Sequence, residues 1–250
     1  MKPVPRISTR GYYDLGTGKT LKNNNYYLYP KKDFKKLKES KELTIMIHGL
    51  RNDNTGAITK VLLAKNKLKK LGYSYPVIGY SYDSNTTGAH LLKHAKHSLA
   101  VGQIIAIKNG TNLGKFIEDF KLDNPLIKIR LIGHSLGSQV ILSTIEYLSK
   151  KKSNIGIIES VYLFGASITH DIPSSKKYGN IIENIIHKKI VNHYAPSDDV
   201  LRWADKEKFV KGPLGLNGAT GKPISKYHQI LLKPKNHRFA SYVSVLKIFP

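Results

Sequence analysis

A mainly parallel, doubly wound α/β sheet with helices on both faces is the fold class this sequence predicts, and two observations carry the prediction. Apolar strand patterns alternate with helical ones along most of the chain, which is the order of βαβ units whose crossover helices cover a parallel sheet. In addition, Gly133-His134-Ser135-Leu136-Gly137 joins the apolar run Ile127–Ile132 to a helical pattern beginning near Ser138. Turns of that kind stand at the carboxyl ends of parallel strands, where such sheets bind their ligands.

Tyr12–Asp14 and Tyr26–Tyr29 are expected as N-terminal edge strands, with the Asn/Lys stretch Lys19–Asn25 as the hairpin turn between them. Strands are expected at 43–48, 76–82, 126–132, 158–165 and 188–195, and helices near 56–71 and 137–150. The segment 90–120 reads as one long helix or two consecutive ones, and its approach, 83–100, passes where a small cap element would sit. Tyr227–Leu232 has the pattern of a further strand. Phe239, Tyr242, Val243 and Leu246 then fall at core-facing helical spacing, which leaves His237 in the loop before a terminal helix. A chain of 250 residues at 40% hydrophobic content can bury a whole sheet as one domain, 1–250, with the edge strands in about 1–42.

The chemistry starts at Ser135. A serine on a tight strand-to-helix turn has its hydroxyl pushed out of the sheet, and glycines two residues to either side remove Cβ atoms that would collide with neighbouring backbone. Ser135 is the candidate nucleophile. A nucleophilic serine needs a base, and the base needs an acid that accepts one imidazole N–H so that the other nitrogen is free to take the hydroxyl proton. Asp198 and Asp199 follow the strand pattern at 188–195. Asp198 is favoured as the acid by resemblance to the acid loops of serine hydrolases, in which one intervening and two hydrophobic residues follow the acid, and Asp199 is then expected to cap the next helix. Of the downstream histidines, His237 lies in a loop and suits a base, whereas His228 sits within an apparent strand.

The ordered set Ser135, Asp198, His237, together with Val77-Ile78-Gly79-Tyr80-Ser81-Tyr82-Asp83 and the segment Tyr194, Asp198, Asp199, Leu201, Trp203, resembles the α/β-hydrolase-fold serine hydrolases of the esterase/lipase type. Within that superfamily the chain is similar to poorly characterised archaeal hydrolases, over a stretch from about Leu43 to the C-terminus. The resemblance implies an oxyanion hole made by two backbone N–H groups, one after the nucleophile and one from the early strand-loop. Those are Leu136 and Leu50, the latter following the strand that ends in His48-Gly49. His48 precedes the serine, and the family's chain order puts the base last, so His48 is expected as a strand-end residue at the pocket. Tyr80, Tyr82, His134 and Trp203 are expected to join it in lining an apolar, aromatic substrate pocket.

Composition narrows the partners. There are 41 Lys+Arg against 17 Asp+Glu, a formal net charge of +24, but the lysines are scattered through nearly every segment. No RNA-binding, zinc-finger or arginine-rich motif accompanies them, so specific nucleic-acid binding is not expected. Weak attraction to an anionic membrane surface is. The absence of cysteine excludes a thiol nucleophile, a disulfide framework and an iron–sulfur site. Met1–Pro5 lacks the apolar core of a secretory signal, and no run reaches the length of a membrane span, which sets the expectation of a cytoplasmic protein. His90, His94 and His97 share one helical face, yet no H-E-x-x-H motif is formed and serine hydrolysis needs no metal, so neither metal nor cofactor is expected.

The expected function is hydrolysis of a small-molecule carboxylic ester or lipid through an acyl-enzyme on Ser135. A thioesterase or acyltransferase on the same residues is the near alternative. A non-catalytic hydrolase-fold protein that binds an anionic partner through its basic surface is the distant one.

Overall fold

The computed structural model describes residues 3–23 and 25–250, with the backbone alone at Leu92, so Met1, Lys2 and Asn24 of the segments discussed above lie outside the described residues. Eight strands form one sheet: β1 (Arg6–Ser8), β2 (Tyr27–Tyr29), β3 (Glu42–Ile47), β4 (Val77–Ser81), β5 (Lys128–His134), β6 (Ile158–Phe164), β7 (Ile186–Tyr194) and β8 (Tyr227–Leu231). Their order is β2-β1-β4-β3-β5-β6-β7-β8, and β1/β2 is an antiparallel pair on an otherwise parallel sheet. This is the doubly wound architecture expected from the sequence.

The sheet is central because β3 to β6 are buried on both faces, and alternate residues of one strand serve opposite cores. Ile45, Ile47, Leu131 and Val161 face one core, which is shared with α3 (Ala95–Asp123) and α4 (Gly137–Leu148). Met46, Ile132 and Tyr162 face the other, which is shared with α2 (Asn54–Lys70) and α8 (Phe239–Val245), through Val61, Ala64, Leu68, Phe239, Tyr242 and Val243. Each such aliphatic side chain, once withdrawn from water, contributes about 2 kcal/mol. The expected segment 90–120 is a 3-10 turn, Leu92–His94, followed by the single helix α3. α3 lies unusually close to α4. A Cβ on Gly110 would stand 2.4 Å from that of Ser143, so only glycine allows this approach.

Shorter helices complete the chain: α1 (Lys31–Leu37), α5 (Gly179–Ile185), α6 (Asp199–Lys206) and α7 (Leu214–Asn217). No helix of the described residues is long and apolar enough to cross a membrane.

The N-terminus departs from expectation. The inner edge strand is Arg6–Ser8 rather than Tyr12–Asp14, because the carboxylate of Asp83 accepts the backbone N–H groups of Gly11, Tyr12 and Tyr13, each at 3.1 Å. A chain whose successive donors converge on one acceptor cannot present them to a neighbouring strand. Tyr13 forms an isolated bridge to Thr20, flanked by the Asp14 N–H on the Lys19 carbonyl and the Leu21 N–H on the Tyr12 carbonyl, so the turn of this short pairing falls at Leu15–Gly18, ahead of the expected position.

Candidate active site

The turn between β5 and α4 is built around a strained serine. Ser135 has φ of +52°, a left-handed conformation that costs a non-glycine residue about 1 kcal/mol or more and persists only where its surroundings enforce it. The Ser135 N–H donates to the Phe164 carbonyl at 3.0 Å, and its own carbonyl accepts the Ser138 N–H at 3.0 Å and the Ser138 hydroxyl at 2.6 Å. A Cβ on Gly137 would come within 2.5 Å of the Ile47 carbonyl oxygen, and one on Gly133 within 2.7 Å of Ile141 Cδ1. The glycines therefore let α4 start directly against β3, which leaves Ser135 partly exposed above the sheet.

His237 arrives from the loop before α8 with its Nε2 2.8 Å from Ser135 Oγ. Its Nδ1 lies 2.6 Å from Asp198 Oδ2. An ionised carboxylate can only accept, so Nδ1 carries the proton and Nε2 accepts the serine O–H. Asp198 is wholly buried. Burial alone would raise its pKa, but hydrogen bonds from His237, from the Tyr242 hydroxyl and from the Leu201 N–H outweigh that effect and hold the carboxylate below its ordinary range.

Asp198 also caps α6, with Oδ1 accepting the Leu201 N–H at 3.1 Å. The expected division of labour between the two acids is thus corrected: one residue caps the helix and faces the histidine, because its two carboxylate oxygens point to different partners. Asp199 is exposed and pairs with Arg202 at 3.0 Å. His228 is exposed on β8, in register with Val191, and is not brought to Ser135.

The loop after β3 lies against the serine turn. A Cβ on Gly49 would stand 2.9 Å from Ser135 Cβ and 3.4 Å from the Leu136 nitrogen. Neither the Leu50 nor the Leu136 N–H donates to a backbone carbonyl among the described residues. The loop is held from behind. Asn52 Nδ2 donates to the carbonyls of Gly49 (3.0 Å) and Leu50 (2.8 Å), and the Arg10 guanidinium donates to Ser81 Oγ (2.7 Å), the Asn52 carbonyl (3.1 Å) and the Asp53 carbonyl (2.8 Å). Nothing in the sequence marks Arg10 for this part, since its partners are 42 to 71 residues away.

The expected aromatic pocket is not formed. Tyr80 and Tyr82 are fully buried, with hydroxyls on Asn109 Oδ1 at 2.8 Å and on the His48 carbonyl at 3.1 Å, because β4 lies between β1 and β3 and its side chains fill the core. His48 is buried and stacks on Tyr82, with ring centroids 4.6 Å apart. Its Nδ1–H donates to the Gly49 carbonyl at 3.0 Å and its Nε2 accepts the Tyr82 N–H at 3.3 Å; burial, aided by Arg10, pushes its pKa down to about 3. His134 is likewise buried and braces the histidine loop, its Nε2–H donating to the His237 carbonyl at 2.8 Å. Burial and the neighbouring His237 push it down to about 3. Trp203 packs edge-on against Phe209, with ring centroids 4.9 Å apart.

The segment 83–100 ties to the N-terminal connection and to Arg51. The Thr87 N–H donates to the Leu15 carbonyl at 2.9 Å, and His97 Nε2–H to that of Gly16 at 2.8 Å. His90, by contrast, meets Arg51 and Asn85, so these histidines have separate partners. No group of three or more metal-ligating side chains occurs among the described residues.

A mainly parallel sheet with a positive-φ serine after β5, an acid after β7 and a histidine after β8 defines an α/β-hydrolase-fold protein. Residues 96–210 match a family model described as a protein of unknown function, DUF726, a span that takes in Ser135 and Asp198 and ends before His237. Over 75 residues the chain is 36% identical to a protein of Caenorhabditis elegans described as the uncharacterized membrane protein F35D11.3; the match covers 30% of this chain and only 12% of that relative's length. Among solved structures, it is similar to a Trichoderma reesei cutinase in complex with a phosphonate inhibitor, at 17% identity and a TM-score of 0.35, covering 55% of this chain and 65% of that one. A lipase-esterase related protein from Clostridium acetobutylicum is similar at 11% identity and a TM-score of 0.39, covering 84% and 90%.

Proposed function

We propose that this protein is a serine hydrolase that cleaves a carboxylic ester of a small molecule or lipid through an acyl-enzyme on Ser135. The observation that supports it most is the unbroken hydrogen-bond chain Asp198–His237–Ser135, anchored on a residue whose backbone is strained into place. Ser135 Oγ attacks the ester carbonyl carbon while His237 Nε2 takes its proton, and the N–H groups of Leu50 and Leu136 receive the negative oxygen of the tetrahedral intermediate. The intermediate collapses, the ester C–O bond breaks, and His237 returns the proton to the departing alcohol. Water, deprotonated by the same imidazole, then attacks the acyl carbon and releases the acid and Ser135.

The chemistry calls on no cofactor, and the proposed setting is the cytoplasm. Hydrolysis of p-nitrophenyl butyrate by the wild type, and its loss in Ser135→Ala, tests the reading.

A further inference from the structure

The peptide joining Gly49 to Leu50 carries one of the two N–H groups assigned to the oxyanion, and its carbonyl is fixed from behind. A trans peptide is planar, with C=O and N–H pointing opposite ways, so whatever holds the Gly49 carbonyl also sets the direction of the Leu50 N–H. Two donors meet that carbonyl, Asn52 Nδ2 and His48 Nδ1–H, each at 3.0 Å. The Leu50 and Leu136 side chains meet at α3, where a Cβ on Gly102 would stand 2.5 Å from Leu50 Cδ1 and 3.2 Å from Leu136 Cδ2. The two residues whose N–H groups are assigned to the oxyanion are thus neighbours in space.

Both donors to the Gly49 carbonyl lead back to Arg10. Its Nη2 reaches the Asp53 carbonyl at 2.8 Å, the Asn52 carbonyl at 3.1 Å and His48 Nε2 at 3.4 Å, while its Nε donates to Ser81 Oγ at 2.7 Å. An N–H donated to Nε2 makes that nitrogen the acceptor of the ring, and the proton then stays on Nδ1, where it meets Gly49. The contact to His48 is the longest of the four, and the Tyr82 N–H acts on Nε2 in the same sense at 3.3 Å. Burial, then the Arg10 charge, keeps this imidazole neutral. Arg10 is half-buried and is itself held on both sides: the Thr9 N–H donates to the Ser81 carbonyl at 3.0 Å, and the Gly11 N–H to Asp83 Oδ1 at 3.1 Å.

Resting on the serine-hydrolase reading above, we infer that Arg10 is a positioning residue for the oxyanion: through Asn52 and His48 it holds the Gly49–Leu50 peptide so that the Leu50 N–H meets the negative oxygen formed when Ser135 attacks. The acid and the base are held by other groups, Tyr242 and His134. Loss of Arg10 should therefore weaken the stabilisation of the oxyanion and leave proton transfer intact.

The test separates those two effects. Values of kcat/KM are measured on p-nitrophenyl butyrate and on its thiono analogue, in which sulfur replaces the carbonyl oxygen and accepts hydrogen bonds only weakly. Wild type is expected to favour the oxoester by on the order of 10²-fold. In Arg10→Met, which keeps an aliphatic stem of similar length, that preference should fall about tenfold, chiefly through a slower reaction of the oxoester. Arg10→Lys keeps the charge but not the planar fork that meets Ser81 and the two carbonyls together, and its preference should fall about threefold. Tyr242→Phe acts on the acid, so it should slow both esters alike and leave the preference unchanged.

Equal losses on the two esters in Arg10→Met would reduce Arg10 to a general support of the fold and overturn the inference while leaving the hydrolase reading intact. So would a preference lowered as much by Tyr242→Phe as by Arg10→Met, or no preference in wild type. Urea melts establish which variants fold. If Arg10→Met does not, Arg10→Lys decides, and an unchanged preference there overturns the inference. Failure of wild type to cleave either ester, with no labelling of Ser135 by a fluorophosphonate, would remove the underlying reading and this inference with it.

Discussion

The Tyr242 hydroxyl donates to Asp198 Oδ2 at 2.5 Å, the same oxygen that accepts His237 Nδ1–H. Tyr242 is buried in the first turn of α8, and the phenol raises no competing charge, because burial and the adjacent carboxylate push its pKa far above the ordinary tyrosine value. It acts as a neutral donor that fixes the carboxylate and with it the imidazole. Tyr242→Phe, which keeps the ring and removes the donor, is expected to lower kcat about tenfold on a neutral ester while KM changes little. A hydrogen bond to a buried charged group accounts for a loss of that size. Unchanged kcat would show that Asp198 holds His237 without help.

Asp198→Asn should lower turnover by several orders of magnitude. An asparagine can still cap α6 through its oxygen, but its amide N–H₂ would face two further donors, His237 and Tyr242, and the imidazole tautomer would be lost. Asp199→Asn removes only an exposed pair with Arg202 and should change stability by less than about 0.5 kcal/mol and turnover hardly at all. Steady-state kinetics and urea melts of the two variants check the contrast; the reverse ranking would move the acid by one residue.

Strain at Ser135 gives a second comparison. Both Ser135→Ala and Ser135→Gly should lose activity on the order of 10³-fold or more, yet they should differ in stability. Alanine must occupy the same left-handed conformation at φ +52°, whereas glycine adopts it freely, so Ser135→Gly should be the more stable by about 1 kcal/mol. Equal melting midpoints would mean that the turn relaxes when the hydroxyl is gone.

Three buried imidazoles make stability depend on pH. Burial pushes His48 and His134 to about 3 and His193 to about 4, whereas in the unfolded chain each titrates near ~6.5. Below that value the unfolded state binds protons that the folded state refuses. Their contribution to stability is therefore complete above pH ~6.5 and is lost as pH falls toward the folded values, at up to ~1.4 kcal/mol per pH unit for each histidine. Urea midpoints should drop steadily between pH 6.5 and 5, and His193→Phe, which keeps a ring stacked on Phe164, should make the drop shallower. A flat profile over that interval would contradict the burial of these rings.

The parts of the fold legible in the sequence are those where one physical cause dominates. β5 and β6 read as apolar runs because parallel strands are covered on both faces, and the turn at Ser135 shows its glycines because α4 begins in contact with β3. Where distant partners decide, the sequence is silent. Tyr12–Asp14 has strand-forming aromatics, but Asp83 withdraws the backbone donors from any ladder. Tyr80 and Tyr82 stand near a strand end, yet the packing of β4 between β1 and β3 turns them inward. Tyr242 shows only as a core position, since helical spacing reports burial and not the 2.5 Å bond its hydroxyl makes. The short helices α1, α5 and α7 have too few turns for a periodic signal.

The claim on which the functional account rests is that Ser135 is a nucleophile activated by His237. It is tested most directly by treating the folded protein with a fluorophosphonate and locating the adduct by peptide mass spectrometry. The account predicts one phosphonylated residue, Ser135, with labelling abolished in Ser135→Ala, slowed by orders of magnitude in His237→Ala, and unaffected in His228→Ala. Folded wild-type protein that takes up no label at Ser135, or that labels equally fast without His237, would contradict it.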